Sequence, residues 1–348
     1  MRIVRFKRQI QIILWTIIII AIFQILLFVR ASIKFAHKHF FLKEKNLQKI
    51  YGDNSWVIIT GASSGQGRHF AIEMAKRGFN LLLIGSERTK GTIDIINNTF
   101  NIPNTIEKNI KVQPKIEFIE KDFRKAYKSN FFKEIEDKII EVGGNISGLI
   151  NNVAYRTAWK PYHESPAQSI NDSIIVGTIV QSQLTRIALS HFLKRDKSLS
   201  SFIVNITAQC IFPTFGIGEM MDNNITVPYL SVYEGANAFG FYQGNSIYKE
   251  YNMKEYEDKI HVLNVMPGAV VTENTEYLDG TMFNVSAEKF VKNVVAQIGT
   301  YKGNTYGYWG HEFSILLVNL FPFIKDNVLK KVGENISKDF MTKPSKKY

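Results

Sequence analysis

From residue 55 onward, short β-branched and aliphatic runs recur at 56–60, 81–84, 116–119, 148–151, 202–207 and 262–266, separated by stretches of helical length. Strands joined by crossovers of that length lie parallel, with the connecting helices packed on the sheet. The pattern predicts an α/β fold in one domain, with no internal repeat and no low-complexity linker. The chain opens on a different pattern. Residues 10–29 form a run of twenty in which only Gln11, Thr16 and Gln24 are polar, about the length a helix needs to cross a hydrocarbon core of roughly 30 Å. The run reads as a transmembrane anchor. It is too long for a cleaved signal peptide and runs straight into Arg30 and Lys34 with no small-residue cleavage site.

A second apolar run, residues 313–324, is only twelve long and contains Asn319 and Pro322. It is too short to span, which leaves a buried helix of the fold or a helix at the membrane interface. The expected organisation is therefore an anchor and basic linker over 1–50, a globular body over 51–310, and an apolar segment with a basic tail over 311–348.

Charge sharpens this division. The 348 residues carry a net +12, which spread over a globular body would suggest nucleic acid. Residues 1–50 hold ten Lys and Arg against Glu44 alone, a local +9, and residues 325–348 contribute +4, so the remainder carries −1. A near-neutral body with basic ends suits an anionic membrane surface and excludes a nucleic-acid groove. Four basic residues precede the apolar run and six follow it between Arg30 and Lys49, so the positive-inside rule leans toward a cytosolic body. Cys210 is the single cysteine, which excludes a disulfide framework and a Cys-rich zinc site and leaves no metal-binding pattern.

Candidate chemistry begins where the first run ends. Thr60-Gly61-Ala62-Ser63-Ser64-Gly65-Gln66-Gly67 precedes a helical pattern from His69 to Arg77. Glycines at that spacing let the backbone approach a pyrophosphate, whose charge is met by amides at the helix N-terminus. The turn predicts dinucleotide binding.

Thr60, Gly61, Gly65 and Gly67 also meet the TGxxxGxG fingerprint of the short-chain dehydrogenase/reductases. Asn151-Asn152-Val153-Ala154 stands where that family has NNAG, Pro267-Gly268 with Thr272 matches its PGxxxT, and Asp122 resembles its acid beside the adenine. The chain resembles this family over about residues 55–275. Segments such as "MAKRGFNLLLI", "LINNVA" and "EKFVKNVV" are similar to the membrane-bound very-long-chain 3-oxoacyl-CoA reductases and related 17-beta-hydroxysteroid dehydrogenases. The resemblance implies a Rossmann-type doubly wound sheet and an endoplasmic-reticulum membrane location. It also implies an acyl-CoA or other lipid carbonyl substrate, a role in fatty-acid elongation, and membrane-protein partners. It implies NADP(H), with NAD(H) as the alternative, because the Arg that follows the second strand in this branch is Ser86 here, beside Glu87. Only Arg88 or Arg68 is placed to meet a 2′-phosphate. The implied cofactor-binding residues are Gly61, Ser63, Gly65, Gly67, Arg88, Asp122, Asn151, Tyr233, Asn237, Pro267, Gly268 and Thr272.

The resemblance fails at the catalytic positions. The family uses a Tyr acid, a Lys four residues later, a Ser that hydrogen-bonds the substrate oxygen, and a helix Asn. Tyr233 fits the Tyr, but the Lys position is Asn237, the Ser position is Ala208, and the helix Asn aligns near Gly177. No displaced Tyr-x-x-x-Lys occurs nearby. A neutral amide cannot lower a phenol pKa from about 10 as a cation does. Thr207, one residue from Ala208 on a strand, is expected to point to the opposite face. Hydride transfer is expected to be impaired, and a non-catalytic nucleotide-binding subunit is the alternative. The chain exceeds the family pattern by about a dozen residues near 215–227, a candidate lid or binding surface.

Overall fold

The computed structural model describes residues 2–101, 113–157, 160–208, 229–256, 258–273, 282–320 and 334. The expected insertion at 215–227 lies outside these residues. Two units are distinguished, Met1–Lys43 and Glu44–Tyr348.

The first unit is one helix, α1 (Arg2–Phe40), of 39 residues. It extends beyond the predicted 10–29 on both sides, because its flanks hold Arg and Lys, good helix formers, and no Gly or Pro interrupts it. At 1.5 Å per residue it measures about 58 Å, enough to cross a bilayer core with several turns to spare. Ile13, Ile18, Phe23 and Leu26 are all exposed, on every side of the helix. Apolar side chains on every side of a long helix fit lipid rather than water.

The second unit runs α2 (Leu47–Tyr51), β1 (Trp56–Thr60), α3 (Gly65–Lys76), β2 (Asn80–Gly85), α4 (Thr89–Asn101), β3 (Ile116–Glu120), α5 (Phe131–Glu141), β4 (Ile146–Asn151) and α6 (Ala167–Ile174). A π-helical stretch, Ile175–Val180, leads into α7 (Gln181–Phe192). Then follow β5 (Ser201–Ile206), α8 (Ser231–Glu250), β6 (Ile260–Val265), β7 (Val270–Val271), β8 (Val285–Ser286), α9 (Ala287–Gln297), β9 (Gly303–Thr305) and α10 (Trp309–Leu320). Seven strands pair in parallel in the order β3-β2-β1-β4-β5-β6-β9, and β7 pairs with β8 separately. The order reverses between β1 and β4, as in a Rossmann-type doubly wound sheet.

Alternation along the strands divides the core between the two faces. Val57, Ile59, Leu81 and Leu83 pack with Phe70, Met74, Phe290 and Val294 of α3 and α9. Ile58, Leu82 and Ile84 pack with Ile135 and Ile139 of α5 and Leu184 and Ile187 of α7. Tyr51 is fully buried, packs against Phe202 in a tilted pair at 4.7 Å between ring centroids, and bonds through its hydroxyl to Nδ1 of His261 at 2.9 Å. Burial pulls the His261 pKa down to about 4.

Of the second apolar run, residues 313–317 of α10 are half-buried, except Ile315, which is buried; residues 321–324 lie outside the described residues. A polar seam crosses the sheet interior. Asn151, Asn205, Asn264 and Asn304 stand opposite one another on β4, β5, β6 and β9. Each amide nitrogen donates to the next side-chain oxygen, at 2.9, 3.0 and 3.1 Å.

Candidate functional site

The parallel strands all point their C-terminal ends to one side, and the sequence-predicted residues collect there: Gly61 after β1, Arg88 after β2, Asp122 after β3, Asn151 closing β4, Ala208 after β5, and Pro267, Gly268 and Thr272 after β6. Ligands of open α/β sheets bind in this crevice where the strand order reverses.

At that point the glycine turn is held by the neighbouring strand. Thr60 Oγ1 accepts from the N–H groups of Asn152 and Val153, both at 3.0 Å, and the Asn152 amide donates to the Thr60 carbonyl at 3.0 Å. Gly61 (φ +69°) and Gly65 (φ +52°) adopt the left-handed conformation, where a Cβ is strained. Gly67 is required for space, since a Cβ there would sit 2.1 Å from the Gly61 carbonyl oxygen. The turn delivers the chain into α3 with Ser64 as N-cap, and Ser64 makes no side-chain bond to the helix. A backbone cradle too close for any side chain, opening on a helix N-terminus, fits a pyrophosphate.

One carboxylate reaches this cradle that the sequence did not single out. The Gly65 N–H donates to Oε2 of Glu273 at 2.8 Å, and Arg68 Nη1 donates to its Oε1 at 2.6 Å. Burial opposes ionisation of Glu273, but backbone N–H bonds, including that from Gly65, and the charge of Arg68 outweigh it and hold the carboxyl below its ordinary range. Arg68 also donates to the Ser63 carbonyl at 2.9 Å. It is therefore engaged locally, while Arg88 is exposed between β2 and α4. Asp122 caps a short 3₁₀ turn, and its carboxylate takes both Nε and Nη2 of Arg124 at 2.9 Å. Those bonds lower its pKa.

Tyr233 and Asn237, two of the three expected catalytic positions, sit on α8, which is placed by small residues four apart on one face. Ala236 packs on Gly177, where a Cβ would come within 2.7 Å of the Ala236 Cβ. Gly240 meets Gln181, and a Cβ at Gly244 would lie 2.0 Å from Oδ1 of Asn264. The helix thus lies directly on the π-helical stretch and on the asparagine seam. Tyr233 and Asn237 line a cavity of about 20 Å³ with Tyr155, Ser173, Gly177 and Thr207, room for about one water.

The groups around it are already engaged. Asn237 Nδ2 donates to the Tyr233 backbone carbonyl at 2.8 Å, one turn back in its own helix. Thr207, just past the end of β5 at Ile206, is among the residues lining the cavity. Its hydroxyl bonds to the Val265 carbonyl at 3.1 Å. Ser173 likewise donates to the Tyr155 carbonyl at 3.0 Å. Ala208 is half-buried just beyond β5 and is not among the lining residues. Asn151 donates to Asn205 and to Thr185 Oγ1, and its buried Oδ1 has no partner among the described residues. Ser173, Gln181 and Glu273 were missed from the sequence; the four-residue spacing of Ala236, Gly240 and Gly244 was the available sign of how α8 docks.

Residues 55–215 match the family model for short chain dehydrogenase. Human 17-beta-hydroxysteroid dehydrogenase type 3 is 29% identical over 269 residues, 77% of this chain and 75% of the relative. The very-long-chain 3-oxoacyl-CoA reductase of Mus musculus is 27% identical over 272 residues, again 77% of this chain and 75% of the relative. Among solved structures, a short-chain dehydrogenase from Sphingobium yanoikuyae in complex with NADPH has a TM-score of 0.54 at 20% identity, covering 72% of this chain and 87% of that one. The glycine turn, the parallel sheet, the family model over residues 55–215 and these relatives agree, so the chain is similar to the short-chain dehydrogenases.

Proposed function

We propose that this chain is a membrane-anchored member of the family that binds a nicotinamide dinucleotide, NADP(H) before NAD(H), and a lipid-derived carbonyl compound of the 3-oxoacyl-CoA or steroid class, with impaired hydride transfer. The supporting observation is the bond from Asn237 to the Tyr233 carbonyl. Where the family places a cation beside the phenol, this chain has a neutral amide folded back on its own helix. A neutral amide cannot lower a phenol pKa from its ordinary value of about 10 as a cation does, and Ala208 offers no side-chain donor to a substrate oxygen.

The dinucleotide would be held by Gly61, Ser63, Gly65 and Gly67 at its phosphates and by Asn151, Tyr233, Asn237, Pro267, Gly268 and Thr272 toward the nicotinamide end. Asp122 serves the adenine end, and Arg88, exposed beside β2, serves a 2′-phosphate. Bound there, it supplies the hydride. Removing one aligned donor costs about 100- to 1,000-fold in rate and removing tuned acid help about 100- to 10,000-fold, and such losses do not simply multiply. The chain divides into residues 1–50 as anchor and linker, 51–310 as the catalytic-type body and 311–348 as a basic tail, with the body on the cytosolic side of the endoplasmic reticulum.

A second reading, a non-catalytic nucleotide-binding subunit on a fatty-acid elongation complex, is favoured by the packing of Gly177 against Ala236, which leaves no space for a side chain at the helix-Asn position. One experiment separates the two: NADPH oxidation by stoichiometric protein with a 3-oxoacyl-CoA, beside the double variant Ala208→Ser, Asn237→Lys. Slow turnover that the double variant accelerates supports the impaired reductase. No turnover in the natural chain with recovery in the variant supports the binding subunit. Equal, fast turnover in both would overturn the reading of the site.

A further inference from the structure

We propose that the carboxylate of Glu273 is an internal occupant of the phosphate cradle, so that Glu273 sets the affinity of the site for pyrophosphate-bearing ligands by competing with them. The inference rests on the dinucleotide reading above and adds a residue that acts against it.

Three observations carry it. Glu273 takes a backbone N–H from the helix N-terminus with one oxygen and a guanidinium N–H with the other, at 2.8 and 2.6 Å. A backbone amide and an arginine are also the donors that a phosphate oxygen pair would recruit. Next, Thr272 and Glu273 close over Gly65 from above: a Cβ at Gly65 would lie 3.0 Å from Thr272 Cγ2 and 3.9 Å from Glu273 Oε2. The carboxylate therefore borders, at contact distance, the space beside Gly65 while holding its N–H. Finally, the Glu273 side chain remains 46% exposed and the Arg68 side chain 29%. A pair so open to water is held weakly enough to be displaced, which distinguishes an exchangeable occupant from a buried structural bridge.

For a dinucleotide to seat its phosphates on the Gly65 amide, the carboxylate must leave it. A residual carboxylate beside the cradle also repels the incoming charge. Arg68, released from Glu273, then becomes available to the phosphates or to a 2′-phosphate.

The test is equilibrium binding to the full chain in detergent, followed by nicotinamide fluorescence for NADPH and by calorimetry for ADP and adenosine. Wild type is compared with Glu273→Gln and Glu273→Ala, whose melting temperatures show that each is folded. The expected result is binding of NADPH and ADP about tenfold tighter in both variants, with adenosine, which lacks phosphates, unchanged. Equal or weaker binding in the variants, with wild-type binding intact, overturns the competition and leaves the dinucleotide reading standing. A gain that extends equally to adenosine also overturns it, by showing a general loosening of the crevice. Absence of NADPH binding in all three chains removes the dinucleotide reading and the competition with it.

Discussion

Replacing Gly67 with Ala sets two known effects against each other. Gly67 lies in α3 with an ordinary negative φ, so helix propensity alone favours Ala by about 1 kcal/mol. The added Cβ, however, would lie 2.1 Å from the Gly61 carbonyl oxygen, 2.8 Å from its carbon and 2.6 Å from Nδ2 of Asn152. The turn must open by about 1 Å to reach ordinary contact. Overpacking of this kind costs about 1–3 kcal/mol. The same movement loosens the Asn152 bonds to the Thr60 and Gly61 carbonyls, at about 1 kcal/mol. Steric cost wins, with a net loss of about 2 kcal/mol, or about 4 °C in melting temperature for a domain of this size. Gly91, in α4 and with nothing within 4 Å of its added Cβ, is the control: Gly91→Ala should raise the melting temperature. Thermal denaturation of the full chain in detergent reads both, and NADPH binding should weaken only in Gly67→Ala. If Gly67→Ala melts at or above wild type and binds NADPH unchanged, the cradle described here is wrong.

Three other outcomes are expected. His261 resists protonation until about pH 4, whereas the unfolded chain takes up that proton near pH 6.5. Stability therefore falls as pH drops from 6.5 to 4, by about 3 kcal/mol at about 1.36 kcal/mol per unit. Urea midpoints across this range should flatten in His261→Gln, and an equally steep profile in the variant would assign the loss to other groups. Asn205→Leu leaves Asn264 Oδ1 without its donor and removes one partner of Asn151; urea unfolding should show a loss of about 3 kcal/mol, and a change under 1 kcal/mol would show that the seam adds little. Deleting residues 1–43 should release the protein from membranes, and its retention after a carbonate wash would mean that another segment anchors it.

Six strands of the main sheet were legible because buried parallel strands need uninterrupted apolar, β-branched runs. β9 was not: Gly303-Asn304-Thr305 is three residues long with no aliphatic side chain. The glycine turn was legible because its spacing follows from close backbone approach. Glu273 was not, since its partner Arg68 is 205 positions away and only the fold brings them together. Asp122 follows β3, an edge strand of the sheet, and its bonds to Arg124, two residues on, are local detail that a motif match does not carry.

The asparagine seam bears on how the sheet finds its alignment. Strands that are apolar on both faces look alike after a slide of two residues, so hydrophobicity alone tells neighbours little about where to stop. Asn205 can bond to Asn151 and Asn264 at once only when all three strands are in phase, and a shift would strand several buried amides together. The seam acts as an index mark across four strands. It matters most for β9, whose three residues meet β6 at only Leu263, Asn264 and Val265, and whose place at the sheet edge depends on the Asn304 side chain being met by that of Asn264.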